Sequence, residues 1–227
     1  MADKPTLFEH LRRNVIVGVV REDDAAAAWN VALAYADNGL RTIEITLTTP
    51  EAISLIERLN EKYAATGLVV AAGTIRSGNQ AAEARRAGAR MLVSPHTDVR
   101  VIDYAIEHDL LCVAGAATAT EIIHAWEAGA DVVKVFPAPQ LGGAEYIRTI
   151  RMPIRDIPLL AGGPVSLEAI DSYLDAGAIA VNLGGSLALP PLVAQRSWEG
   201  IGKRVTAALE IVRRRTTSAD DASLTIH

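Results

Sequence analysis

The sequence predicts an α/β protein built as a single (β/α)8 TIM barrel with one helix ahead of it. Eight short apolar runs alternate with helix-like segments along the 227 residues. The runs are apolar on both faces, as strands of a parallel sheet covered by helices must be. Eight such units in one chain of this length point to closure. The alternative is an open doubly wound sheet. It is disfavoured because the first strand runs into Val19-Val20-Arg21-Glu22, with no G-x-G-x-x-G.

The elements follow in order. Thr6 to Arg13 has Leu7, Phe8 and Leu11 on one side, the pattern of a short amphipathic helix. Val15 to Val20 is the first strand; Asp23 or Asp24 caps a helix to about Asn38, closed by Gly39. Thr42 to Leu47 is the second strand, followed by a helix from Pro50 to about Ala65 with proline in its first turn. Leu68 to Ala72 is the third, and Ser77 caps a helix ending at Gly88. Met91 to Val93 is the fourth, with Asp98 starting a helix to about His108. Leu111 to Ala114 is the fifth; Thr118 and Glu121 stand at capping-box spacing, and Gly129 stops that helix. Val132 to Phe136 is the sixth, before a short helix at Ala144 to Ile150. Ile157 to Leu160 is the seventh, and Ser166 caps a helix ended by Gly177. Ile179 to Leu183 is the eighth, and an amphipathic helix spans Trp198 to Arg214. Ala-Gly-Ala recurs at residues 87–89, 128–130 and 176–178, each time as a helix-to-strand turn. Residues 1–215 form one domain, and the polar stretch 216–227 is expected to be a disordered tail.

Composition narrows the function. Hydrophobic residues make up 50% of the chain, enough for a core without staples. The net charge is −5 with no long basic run, which argues against nucleic acid or a membrane surface as partner. No apolar run is long enough to span a bilayer, and the N-terminus has no apolar signal core. The single Cys112 lies in an apolar strand and excludes intrachain disulfides, which suits a reducing, cytoplasmic setting.

Chemistry in such a barrel gathers at the C-terminal ends of the strands. The charged Glu44 and Lys134 each interrupt an apolar strand at an interior position. A buried pair kept only for the core is the bland alternative, and such pairs are weak for stability against apolar residues of equal volume. An ammonium taken out of water tends to give up its proton, and a neutral amine can attack a ketone to form a Schiff base. A nearby carboxylate then serves as acid and base. Gly162-Gly163 and Gly184-Gly185-Ser186 follow the seventh and eighth strands, where backbone N–H groups suit a phosphate. Arg21 can hold a carboxylate or phosphate bidentately. His96 has no second histidine at ligand spacing, so no metal is expected.

These residues resemble a known family. Glu44-Ile45-Thr46-Leu47-Thr48, Ala72-Gly73-Thr74, Ser94-Pro95-His96, Val133-Lys134-Val135-Phe136-Pro137-Ala138 and Gly162-Gly163 look like the 2-dehydro-3-deoxy-6-phosphogluconate (KDPG) / 4-hydroxy-2-oxoglutarate (KHG) aldolases. The likeness runs from about Leu11 to Pro190. It implies a class I aldolase, a homotrimer, with no metal or cofactor. By position Lys134 would form the Schiff base and Glu44 would be the general acid/base. Thr74, with Gly73, would contact the pyruvyl carboxylate, Phe136 and Pro95 would line the pocket, and Arg21 and Thr48 would bind substrate. Gly162, Gly163, Gly184, Gly185 and Ser186 would cradle a phosphate. Some members carry arginine at the position of Thr48; others pair a small polar residue there with an arginine after the first strand, as Arg21 does. The usual threonine before the Gly-Gly pair is Ala161, and Pro164 follows the pair. The implied substrate is a 2-keto-3-deoxy-6-phospho sugar acid, cleaved to pyruvate and glyceraldehyde 3-phosphate. Within the family 4-hydroxy-2-oxoglutarate and the galactonate epimer are the alternatives. Outside it stand a phosphate-sugar isomerase or synthase and a binding protein on the same barrel.

Overall fold

The structure, a computed structural model, describes residues 3–224, with 216–224 as backbone only. Helix α1 (Lys4–Asn14) precedes β1 (Ile16–Val20), α2 (Ala25–Asp37), β2 (Thr42–Thr46), α3 (Ala52–Lys62), β3 (Val69–Gly73) and α4 (Gly78–Arg86). Next come β4 (Met91–Val93), α5 (Val99–Glu107), β5 (Leu111–Ala116), α6 (Ala119–Glu127) and β6 (Val132–Val135). A 3-10 turn at Ala138–Leu141 leads into α7 (Gly143–Arg151), then β7 (Leu159–Ala161), α8 (Ile170–Asp175), β8 (Ala178–Leu183), α9 (Pro190–Ala194) and α10 (Trp198–Leu224). Among the described residues, β1 to β8 pair in sequence order, all parallel, and close on each other.

Two apolar layers follow from the alternation of side chains along each strand. One lies between strands and helices. The other fills the barrel: Val17, Ala71, Met91, Val93, Leu111, Val113, Val132, Leu160 and Ala180 cluster with Leu7 and Leu11 of α1. The N-terminal helix therefore plugs the lower mouth. Its entry is pinned by Lys4, whose ammonium lies 3.2 Å from Asp131, while Asp131 also accepts from the Cys112 N–H at 2.7 Å. The open mouth is left to the C-terminal ends of the strands.

The expected caps form. Asp24, Ser77 and Asp98 each accept from the first turn of their helix, and Thr118 with Glu121 makes both bonds of the capping box. Gly88, Gly129 and Gly177 close the repeated helix-to-strand turn at φ of +93°, +99° and +99°, where a side chain would be strained.

Four expectations need correction. Pro50 lies outside α3, because Thr46, Thr48 and Thr49 bond one another in a turn and delay the helix to Ala52. Ser166 makes no side-chain cap; a 3-10 turn at Leu167–Ala169 starts α8 instead. Helix α9 is additional to the expected elements, its five residues being too few to show a period. Helix α10 runs past Arg214 to Leu224, so most of the expected tail has helical backbone. Arg215 ties it down there, bonding Asp171 at 3.2 Å and Asp175 at 2.7 Å. Residues 225–227 of that tail lie outside the described residues.

Truncating the plug should weaken the barrel. Leu11→Ala removes a side chain that is 1% exposed, and should lower the free energy of urea unfolding by about 2–5 kcal/mol with an unchanged m-value. A loss under about 0.5 kcal/mol would show that α1 does not seal the core. Burial, with the Asp131 charge adding, pushes the Cys112 thiol up to about 12. Cys112 should therefore resist a disulfide reagent at mildly alkaline pH until the chain is unfolded; rapid labelling of the folded protein would contradict this placement.

Candidate active site

A cavity of about 800 Å³ opens at the C-terminal mouth of the barrel. Arg21, Glu44, Thr74, Pro95, Lys134, Phe136, Gly163, Gly184 and Gly185 line it, so strands far apart in sequence deliver most of the expected residues to one place. Glu44 is 1% exposed and Lys134 7%. Among the described residues no ion pair joins them: both face the cavity without reaching each other, so the buried core pair is not what forms.

Glu44 and Lys134 come from even-numbered strands, β2 and β6, as in the alternating layers of a closed barrel. Odd-numbered strands make room. A Cβ on Gly73 of β3 would lie 2.6 Å from Cγ and Cδ of Glu44. A Cβ on Gly162, after β7, would lie 2.8 Å from Cγ of Lys134. One on Gly115 of β5 would collide with the Pro95 carbonyl and approach the His96 nitrogen to 2.6 Å. Real Cβ atoms do not pack this closely, so each glycine is the space its neighbour occupies.

Lys134 holds its Nζ 5.1 Å from the Phe136 ring centroid, over the negative face of the ring. Glu44 is held by Asn182 of β8, whose Nδ2 donates to Oε2 at 2.7 Å. At the rim, Arg21 donates to Thr48 at 2.9 Å and Thr74 at 3.2 Å. Thr48 in turn bonds Thr46, so a polar chain spans the ends of β1, β2 and β3. Thr74 sits at φ +59°, unusual for a β-branched residue. Its neighbours enforce it: the Gly73 carbonyl accepts from Leu47 and the Ile75 N–H donates to Val93. Such strain costs about 1–3 kcal/mol and gathers at functional sites.

The remaining expected residues stand elsewhere. Gly73 and Thr48 lie behind the cavity wall, one beneath Glu44 and the other supporting Arg21. Gly162 is buried against Lys134, and its N–H is spent on the Val135 carbonyl at 3.0 Å. It makes room for the lysine and has no donor left for a phosphate. Ser186 turns its hydroxyl into the protein, where it is buried without a hydrogen-bond partner. The N–H groups of Gly163 and Gly185 donate to no backbone carbonyl, and both residues line the cavity. His96 is exposed and off the cavity wall, and among the described residues no group of three metal-ligating side chains occurs.

Sequence reasoning missed Asn182, 3% exposed and lining the cavity. The signal was the one that marked Glu44 and Lys134: a lone polar residue inside an apolar strand, Ala178-Ile179-Ala180-Val181-Asn182-Leu183. Glu22 and Asp23 also line the cavity. Burial and the neighbouring Asp23 raise the Glu22 carboxyl above its usual value. Pro190, Val193 and Ala194 of α9 complete the outer wall.

An amine and a carboxylate facing one cavity, without a direct pair, are the equipment of imine chemistry. Comparison with known proteins points the same way. The family model for KDPG and KHG aldolase matches residues 7–204. The 2-dehydro-3-deoxy-phosphogluconate aldolase of Treponema pallidum (strain Nichols) is 33% identical over 202 residues, covering 89% of this chain and 93% of that protein. The native KDPGal structure superposes with a TM-score of 0.80 at 28% identity, covering 89% of this chain and 96% of the other. The 2-keto-3-deoxy-6-phosphogluconate aldolase of Zymomonas mobilis ZM4, solved with 3-phosphoglycerate, gives 0.76 at 26% identity, covering 88% and 94%.

The glycine packing is testable by one methyl group. Gly162→Ala should keep the circular dichroism of the barrel but lose about 1–3 kcal/mol of stability, and a crystal structure should show Lys134 displaced from its rotamer. An unmoved Lys134 would contradict the packing account.

Proposed function

The chain belongs to the KDPG and KHG aldolase family and is a class I aldolase, and we propose that it cleaves a 2-keto-3-deoxy-6-phospho sugar acid to pyruvate and glyceraldehyde 3-phosphate. The observation that carries this reading is Lys134 and Glu44 lining one cavity at the mouth of the barrel without an ion pair between them. Lys134 attacks the C2 ketone. Glu44 moves the protons that turn the carbinolamine into an iminium. Glu44 then takes the C4 hydroxyl proton, the C3–C4 electron pair flows into the iminium, and the aldehyde departs. Protonation of the enamine at C3 and hydrolysis release pyruvate and restore the lysine.

Arg21 and Thr74 line the same cavity and would hold the substrate carboxylate; Arg21 has no carboxylate partner among the described residues, which supports this role. Phe136 and Pro95 flank the keto carbon. The open N–H groups of Gly163 and Gly185 support a phosphate at the far end, in keeping with the phosphorylated acid in the Zymomonas structure. No metal or cofactor enters these steps. A homotrimer would cover Ile106 of α5 and Ile123 of α6, which are 49% and 41% exposed. A cytoplasmic setting suits the single free cysteine. Among the described residues no helix is long and apolar enough to cross a membrane.

Two experiments check the proposal. Borohydride treatment with pyruvate should leave one reduced adduct on Lys134, absent in Lys134→Ala; no adduct, or one that survives the substitution, would sink the Schiff base. A panel of phosphogluconate, phosphogalactonate and 4-hydroxy-2-oxoglutarate compounds, with and without phosphate, should show kcat/KM falling when phosphate is removed. Equal values would reject the phosphate subsite.

A further inference from the structure

Among the described residues Asn182 is the one buried amide in the cavity wall, and its two ends are in different states. Nδ2 donates to Glu44 Oε2 at 2.7 Å, while Oδ1 is buried with no partner. The amide nitrogen is the end that meets Glu44, since only that end of the amide can donate to a carboxylate oxygen. A buried unpaired carbonyl oxygen costs about 1–3 kcal/mol, so it marks either a defect or a place kept for a donor. Here it lies on a residue that lines the cavity.

The other oxygen of Glu44 is placed differently. Oε1 stands over Gly73, in space that a Cβ there would take. Oε2 is already occupied by an N–H; among the described residues Oε1 has no hydrogen-bond donor. Oε1 is therefore the oxygen of this carboxylate that no protein donor engages.

We propose that Asn182 is a positioning residue for Glu44: Nδ2 fixes Oε2 so that proton transfer runs through Oε1, and Oδ1 receives an O–H donor, a water or the substrate hydroxyl, that shares its hydrogen bonds with the two groups. This rests on the aldolase reading above and adds to it a residue that sets the geometry of the base. The transfer is balanced: the O–H proton passes to Oε1, and the electron pair of the broken C3–C4 bond is taken up by the iminium. Lys134 remains competent without Asn182, since among the described residues no hydrogen bond joins the two side chains.

Asn182→Leu and Asn182→Asp separate this role from a structural one. Three readouts apply to each folded variant: the borohydride-trapped pyruvate adduct, exchange of the pyruvate C3 hydrogens for deuterium, and kcat with KM for cleavage. Asn182→Leu should still trap pyruvate on Lys134. Its exchange rate and kcat should fall about tenfold to a hundredfold with KM changed less than about threefold, short of the loss expected when a general base is removed outright. Asn182→Asp puts a second carboxyl beside Glu44, in a cavity also faced by Lys134, Arg21, Glu22 and Asp23. It should be impaired at neutral pH and recover as pH falls, when a shared proton restores a donor to Oε2. Exchange and kcat within twofold of the parent in Asn182→Leu would overturn the proposal, as would a pH-independent loss in Asn182→Asp. If the parent protein traps no adduct, the aldolase reading fails first and the proposal with it. A trapped adduct with unchanged exchange in the variants sinks the proposal alone.

Discussion

The site exists because three inward positions carry no side chain. Even-numbered strands bring Glu44, Lys134 and Asn182 to the upper layer of the barrel. Gly73 of β3, Gly115 of β5 and Gly162 after β7 leave the intervening positions empty. A closed eight-stranded barrel is normally filled by its own side chains, so an interior cavity needs such omissions. The first and third of these glycines lie against the acid and the amine themselves. Backbone paths, more than charge, decide where the two functional groups stand.

The same layer explains how buried charge is tolerated. A direct pair between Glu44 and Lys134 would repay part of the desolvation cost, and it would also occupy both groups. The structure keeps them apart. Glu44 is satisfied on one side by Asn182, and Lys134 lies over Phe136. Each retains an unspent face toward the cavity. Arg21 is handled in the same manner, braced by two threonine hydroxyls in place of a carboxylate. Below this polar layer Leu7 and Leu11 seal the barrel, so the polar groups have one opening to water.

Much of this was legible in the sequence. A charge inside an apolar strand is rare enough to name Glu44 and Lys134 without a structure. Counting strands then placed them at one end of a barrel. The glycines are visible in the sequence too, but there they read as phosphate loops. Only the fold shows that Gly162 lies against the lysine stem while Gly163 lines the cavity. Asn182 carried the same signal as Glu44, yet an amide stands out less than a charge. The boundary errors have local causes: threonine hydroxyls delayed α3, and the Arg215 bonds to Asp171 and Asp175 hold α10 beyond its apolar stripe. Neither is encoded in periodicity.

The central claim is that one lysine, seated in space left by Gly162 and served by one carboxylate, performs the covalent step. A crystal structure of the protein trapped with pyruvate addresses it most directly. The account predicts continuous density from Lys134 Nζ to the C2 carbon, the pyruvyl carboxylate beside Arg21 and Thr74, and Glu44 still bonded through Oε2 to Asn182. Density on another lysine, or pyruvate bound in the cavity away from Lys134, would contradict it.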